Sequence, residues 1–267
     1  MTVVPILCYH SVGDEPRDGT LRWTVSPGDF DEQMALLCQR GRTPLTVSRY
    51  AALLSQGAPL PPAPVLVTFD DGYADLATAA LPVLIRYGIT ATAYVITDRL
   101  GAARPGADPT LDRDQLAELR ARGVEIGSHG HTHRALDCLR PAEVRDEVSL
   151  SRRVLEDELR EPVTSFAYPY GYHGSAVRRA VCHAGYTSAC AVKNALSHPG
   201  DDVFTLARVL IERDTGVAGI ESLLDGRGRP LARSGERVLT RCWRAYRRTR
   251  WALGVHGAGS ATGQGAR

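Results

Sequence analysis

No apolar run in the 267-residue sequence approaches the roughly 20 residues needed to cross a bilayer, so no transmembrane helix is expected. The stretch Met1 to Tyr9 lacks a basic region followed by a long apolar one, and no secretory signal is read there. The six cysteines, Cys8, Cys38, Cys138, Cys182, Cys190 and Cys242, nowhere form a C-x-x-C pair, which argues against a cysteine zinc site. Most sit in apolar contexts and are expected to be buried free thiols of a reducing compartment. These absences point to a cytoplasmic or peripheral membrane protein. Lysine is nearly missing, with Lys193 alone, which we read as codon bias because arginines fill every region. A net charge of only +2 excludes general polyanion binding, and nucleic acid is not an expected partner.

What is present is ordinary for a folded protein: 43% apolar and 23% charged residues in 28.9 kDa, enough for one large domain or two small ones. Short apolar runs alternate with helical patterns. Strands are expected at 3–9, 65–69, 90–96, 124–127, 164–168, 186–192 and 204–211. Between them, helices are expected at 27–40, 50–54, 74–87, 112–122, 141–159 and 175–184, with Gly88, Gly123 and Gly185 as stops. Such β-then-α units imply parallel strands joined by helices. An open doubly wound sheet and a closed barrel both fit. No G-x-G-x-x-G follows a strand, so a distorted (β/α) barrel of about seven parallel strands is preferred.

The alternation stops after Asp225. We divide the chain into a barrel domain at 1–226, a basic amphipathic helix at 227–253 and a disordered tail at 254–267. From Arg227 to Arg250 there are nine arginines and one acid, Glu236, a net charge of +8. Trp243, Tyr246 and Trp251 lie among them. Peripheral contact with an anionic membrane is one expectation for this helix. A helix packed on the bottom of the barrel is the other.

In a parallel barrel the chemistry collects at the C-terminal ends of strands. His10 follows the first strand, Asp70 and Asp71 the second, His129, His131 and His133 the fourth, and Tyr170 the fifth. Two histidines four residues apart can turn their nitrogens toward one ion, and with a carboxylate they suit zinc or a similar divalent metal. The competing reading of Ser128 to His133 is a solvated polar loop. Adjacent carboxylates at Asp70-Asp71 repel each other. A metal on one would free the other to act as general base, whereas an Asp-Gly turn at Asp71-Gly72 is the plainer alternative. The run Phe166 to Gly171 ends a strand in a rigid turn, whose backbone N–H groups either face an oxyanion or do nothing special. His10 is equally open.

These residues resemble the polysaccharide deacetylases, the NodB-like carbohydrate esterases of family four. The first motif of that family, T-F-D-D-G, stands here at Thr68 to Gly72, and the second, H-(S/T/G)-x-x-H, at His129 to His133. Pro169-Tyr170 matches the end of the third. The resemblance covers about residues 3 to 212, with Tyr9-His10-Ser11-Val12 at its start. It implies a distorted barrel and a metal-dependent hydrolase that removes N-acetyl groups from an amino-sugar polysaccharide or glycoconjugate. It further implies one divalent ion, expected to be zinc, on Asp71, His129 and His133, with Asp70 as general base and the Tyr170 backbone N–H on the oxyanion. Two departures stand out. Ala167 occupies the place of the arginine that orients the base, for which Arg208 is the substitute considered. No late Leu-x-His supplies the general acid, for which His10 is considered. The alternatives are an O-acetyl esterase or non-carbohydrate amide hydrolase on the same site, and an inactive glycan-binding module.

Overall fold

All seven expected strands form, and they close into a barrel. The computed structural model describes residues 2–16, 19–102, 105–233, 246, 247 and 249. Its strands are β1 (Ile6–Tyr9), β2 (Ser11–Val12), β3 (Thr24–Val25), β4 (Thr43–Pro44), β5 (Pro64–Phe69), β6 (Thr92–Val95), β7 (Glu125–Ser128), β8 (Ser165–Ala167), β9 (Ser188–Val192) and β10 (Leu206–Leu210). Its α-helices are α1 (Pro27–Gln39), α2 (Val47–Ser55), α3 (Leu81–Tyr87), α4 (Arg113–Ala121), α5 (Pro141–Leu159), α6 (Ser175–His183) and α7 (Val217–Leu224). The sheet runs β1-β10-β9-β8-β7-β6-β5, and β1 also pairs with β5 in parallel, from Ile6 opposite Leu66 to Tyr9 opposite Phe69. That last pairing closes seven parallel strands into a barrel and excludes the open sheet. The two-residue β4 extends the outer edge of β5, and β2 pairs only with β3.

Local chemistry sets the helix limits. Asp112 accepts from the Gln115 N–H at 2.8 Å while the Gln115 side chain accepts from the Asp112 N–H, a reciprocal cap that starts α4. The long α5 begins at Pro141, where a missing N–H costs nothing. The single helix expected over 74–87 is instead a π turn at Leu76–Ala80 followed by α3. Pro82 explains the break, because it has no N–H to continue the ladder.

Strand alternation then fills the barrel in layers. Ile6, Leu66 and Leu206 lie in one buried apolar cluster with Tyr50 of α2 and Tyr94 of β6. Two residues further along the strands stand Cys8, Thr68 and Arg208, all fully buried. Two more steps reach His10 and Asp70 at the rim. Tyr94 occupies so much of the interior that a Cβ on Gly127 would lie 2.6 Å from its ring, so β7 carries glycine there. The Tyr94 hydroxyl contacts Ser165 at 2.7 Å, which satisfies its polar end.

Two expectations change. Of the five cysteines among the described residues, only Cys8 and Cys190 are buried, while Cys38 and Cys182 are exposed. On α1 the neighbouring Leu37 takes the inward position and Cys38 falls one step round the helix, toward water. The segment 227–253 does not begin as a helix. Leu231 bridges Leu196, and the Ala232 N–H donates to the Leu196 carbonyl at 2.8 Å, so 227–233 is a non-helical connection. Most of the remaining expected helix and the whole tail 254–267 lie outside the described residues. Arg247 does not pack on the barrel bottom. It reaches the opposite rim, where it pairs with Asp137 at 2.5 Å and lies over the Tyr172 ring. No helix among the described residues is long and apolar enough to cross a membrane.

Candidate active site

Asp70 and Asp71 leave the end of β5 in different directions. The Asp70 N–H donates to the Tyr9 carbonyl at 2.9 Å, continuing the ladder, and its side chain points into the barrel at 2% exposure. Asp71 then turns through the left-handed region, φ 69°, and swings its carboxylate toward the loop after β7. His133 and Tyr170 are also left-handed, both at φ 60°. Six non-glycine residues among those described have positive φ, and three of them meet here. Each such residue costs about 1–3 kcal/mol and persists where surrounding contacts enforce it, a pattern typical of functional sites.

Asp71 Oδ1 lies 3.2 Å from His133 Nε2 and 3.5 Å from His129 Nε2. One donor atom from each of the three residues falls within 4.8 Å of the others. His129 Nδ1 lies 2.8 Å from the Ala167 carbonyl, which can only accept, so the neutral ring carries its proton on Nδ1. His129 Nε2 therefore turns a lone pair toward a carboxylate. Asp71 Oδ1 is itself buried and has no hydrogen-bond partner among the described residues. Burial pushes the His133 imidazole down to about 4, against the opposing pull of Asp71, so this ring is neutral near pH 7. Asp71 Oδ1 thus faces two imidazole Nε2 atoms and has no hydrogen bond of its own among the described residues. A divalent cation would satisfy all three groups at once, and two imidazoles with one carboxylate are a donor set that zinc takes.

The loop sets which second imidazole joins this cluster. His131 faces away, with Nδ1 2.8 Å from Thr97 Oγ1. Its N–H and that of Thr132 donate to Glu147 Oε2 at 3.0 and 2.9 Å. Glu147 comes from α5 and is 6% exposed. It pins the turn that presents His133, a role the sequence reading missed. The available signal was an acid on the inward stripe Val144, Val148, Ser151 and Leu155 of a confidently placed helix.

Asp70 has a different environment. Arg208 on β10 grips it with two parallel bonds, Nη1 to Oδ1 at 2.6 Å and Nη2 to Oδ2 at 2.7 Å. A further bond joins Arg208 Nη1 to Thr68 Oγ1 at 3.2 Å. The two side chains are 0% and 3% exposed. Burial, the largest single influence, opposes ionisation of Asp70, but Arg208, His129 and His10 together outweigh it and hold the carboxyl well below the usual carboxylate range. Arg208 thus makes the contact for which Ala167 has no side chain. Asp70 Oδ2 remains 3.8 Å from His129 Nε2, at the edge of the candidate metal site.

Tyr170 closes one side, its ring 4.6 Å from that of His133. His10 stands on the same rim, its ring 6.0 Å from Trp23. His10 Nδ1 is buried without a hydrogen-bond partner among the described residues. Burial lowers its pKa, and Asp71 and then Asp70 partly offset that. All the residues singled out from the sequence therefore share one mouth, except His131.

The polysaccharide deacetylase family model matches residues 57–189, which contain both aspartates and all three loop histidines. The chain is similar to the polysaccharide deacetylases. The chain is 28% identical over 208 residues to YxkH of Bacillus subtilis, a protein assigned to the polysaccharide deacetylases; the match spans 78% of this chain and 71% of that one. It is 24% identical over 201 residues to the poly-β-1,6-N-acetyl-D-glucosamine N-deacetylase of Staphylococcus epidermidis, spanning 72% and 69%. A solved polysaccharide deacetylase from Bacillus cereus superposes with a TM-score of 0.72 at 27% identity, covering 84% of this chain and 69% of that one.

Proposed function

We propose that this protein is a polysaccharide deacetylase that removes N-acetyl groups from an amino-sugar polysaccharide of the poly-N-acetylglucosamine class. The observation that carries the reading is the division of labour between neighbouring carboxylates. Arg208 occupies both oxygens of Asp70, while Asp71 Oδ1 has only imidazole nitrogens before it. Asp71, His129 and His133 would hold one divalent ion, with zinc the best match to the donors. When bound, the ion supplies Lewis acidity to the acetyl carbonyl and lowers the pKa of water at the site.

The chain's own residues do the rest. Asp70 accepts the proton of the attacking water. A carboxylate oxygen has two lone pairs, so the grip of Arg208 leaves each oxygen able to accept again. Arg208 fixes the direction of those lone pairs and keeps the base ionised. The Tyr170 backbone N–H donates to the oxyanion as it forms, its turn held left-handed by the surrounding loop. An amine cannot leave as an anion, and His10 on the same rim gives it a proton, taking up in turn the one Asp70 accepted from the water.

Asp70→Asn is expected to retain its metal, because Asp71 and both histidines are untouched, and to lose about 10² to 10⁴ in turnover. Metal analysis beside a rate assay checks this; a variant depleted of metal would mean that the two aspartates have exchanged roles. His10→Ala should slow hydrolysis of an N-acetyl sugar by at least about tenfold more than that of an activated acetyl ester, whose leaving group needs no proton. Equal losses on the two substrates would make His10 an orienting residue and leave the acid elsewhere.

A further inference from the structure

The basic C-terminal segment has no part in the chemistry above, yet one of its residues is anchored at the mouth. Arg247 lies 110 positions from its partner Asp137. The pair is well shielded, with side-chain exposures of 16% and 2%. The same guanidinium lies 3.6 Å from the centre of the Tyr172 ring. Asp137 belongs to the loop that leaves β7 and carries His129 and His133. Tyr172 belongs to the loop that leaves β8 and carries Tyr170. One arginine therefore ties together the two loops that form this side of the site. Tyr172 stands two residues after Tyr170, whose ring lies 4.6 Å from that of His133.

We infer that Arg247 is a specificity-determining positioning residue, which fixes the Tyr172 ring as part of the cleft wall for a sugar next to the one being deacetylated. The inference rests on the deacetylase reading and extends it to the neighbouring subsite. The chemistry is that of a rigid aromatic edge. A guanidinium lying over a ring limits its freedom to turn, and the bond from Arg247 Nη2 to Asp137 anchors the guanidinium there. A preorganised ring costs a polymer little ordering on binding. A lone acetyl group at the metal site does not extend to this wall, whereas a chain of pyranose rings crosses it. Lysine would keep the charge on Asp137 but would lose the flat stack on Tyr172.

The test uses the full chain loaded with metal. Substrates are an N-acetylglucosamine hexamer and N-acetylglucosamine itself, with acetate release as the readout. Arg247→Ala should raise KM for the hexamer by roughly tenfold while kcat stays within about twofold, the pattern of lost binding rather than lost chemistry. Its KM for the monosaccharide should rise far less. Arg247→Lys should recover only part of the hexamer affinity, and it carries the test if the alanine variant does not fold. Because Arg247 acts through Tyr172, Arg247→Ala combined with Tyr172→Ala should be no worse than Tyr172→Ala alone. An unchanged KM for the hexamer overturns the inference, as does full recovery with lysine. A fall in kcat and metal content together, or additive effects in the double variant, also overturns it. If the parent chain releases no acetate from either substrate, the deacetylase reading itself fails and takes the inference with it.

Discussion

Arg208→Met is expected to cost more than any other single change inside the barrel. Methionine fills a similar volume but leaves Asp70 as a buried carboxylate with its bidentate partner gone. Breaking a buried pair by removing one member typically costs about 3–5 kcal/mol, because the survivor keeps its desolvation penalty without its attraction. For a domain of this size that is a clear drop in melting temperature. Turnover should fall by about 10² to 10⁴, as if the base itself had been removed, since an unheld carboxylate is neither aimed nor kept ionised. Arg208→Lys should fall between the two. It restores a charge but replaces a two-pronged fork with one point. Thermal melting and kcat/KM on an acetylated glycan, measured together, check the claim. A methionine variant with normal turnover would show that Asp70 needs no such support.

This arginine also shows how far the sequence carries the reading. The strand Leu206–Leu210 was visible from its apolar character, and alternation alone places Arg208 on the same face as Leu206 and Leu210. What alternation cannot say is which face looks into the barrel, and to which strand's carboxylate the side chain reaches. That depends on closure, through the pairings of β1 with both β5 and β10. The inner partners of the site come from strands far apart in sequence, 138 positions in the case of Arg208 and Asp70. Local pattern contains nothing of that distance.

Other misses have different causes. The strands β2, β3 and β4 have two residues each, too short for any periodicity to register. The π turn before α3 looked like an ordinary helix because its apolar spacing is helical, and only Pro82 hinted at the break. Glu147 was hidden by its type. A carboxylate on a buried helix stripe reads as an exception until the unpaired N–H groups of His131 and Thr132 are seen to need it. Where the reading did succeed, it did so because chemistry and topology coincide. Residues just past strand ends must gather at one rim, whatever the angles between strands. The choice of His133 over His131 came instead from the four-residue spacing to His129; in the structure His133 lies 3.2 Å from Asp71 and His131 lies on Thr97.

The same pair of histidines gives the most direct test of the account. The metal-dependent reading requires that His133 and not His131 hold the ion, although both lie in one five-residue run. His133→Ala removes one of three donors and should lose its divalent metal on dialysis. Its acetate release from poly-β-1,6-N-acetylglucosamine should fall further than the roughly 10 to 100-fold typical of losing an outer-shell partner. His131→Ala removes only a contact to Thr97 and should keep both metal and most activity. The decisive measurement is bound metal per chain alongside acetate released, for the parent and these two variants. One ion per chain in the parent and in His131→Ala, with ion and acetate lost together in His133→Ala, is the predicted result. A His133→Ala chain that keeps its metal, or a metal-free parent that still releases acetate, would contradict it.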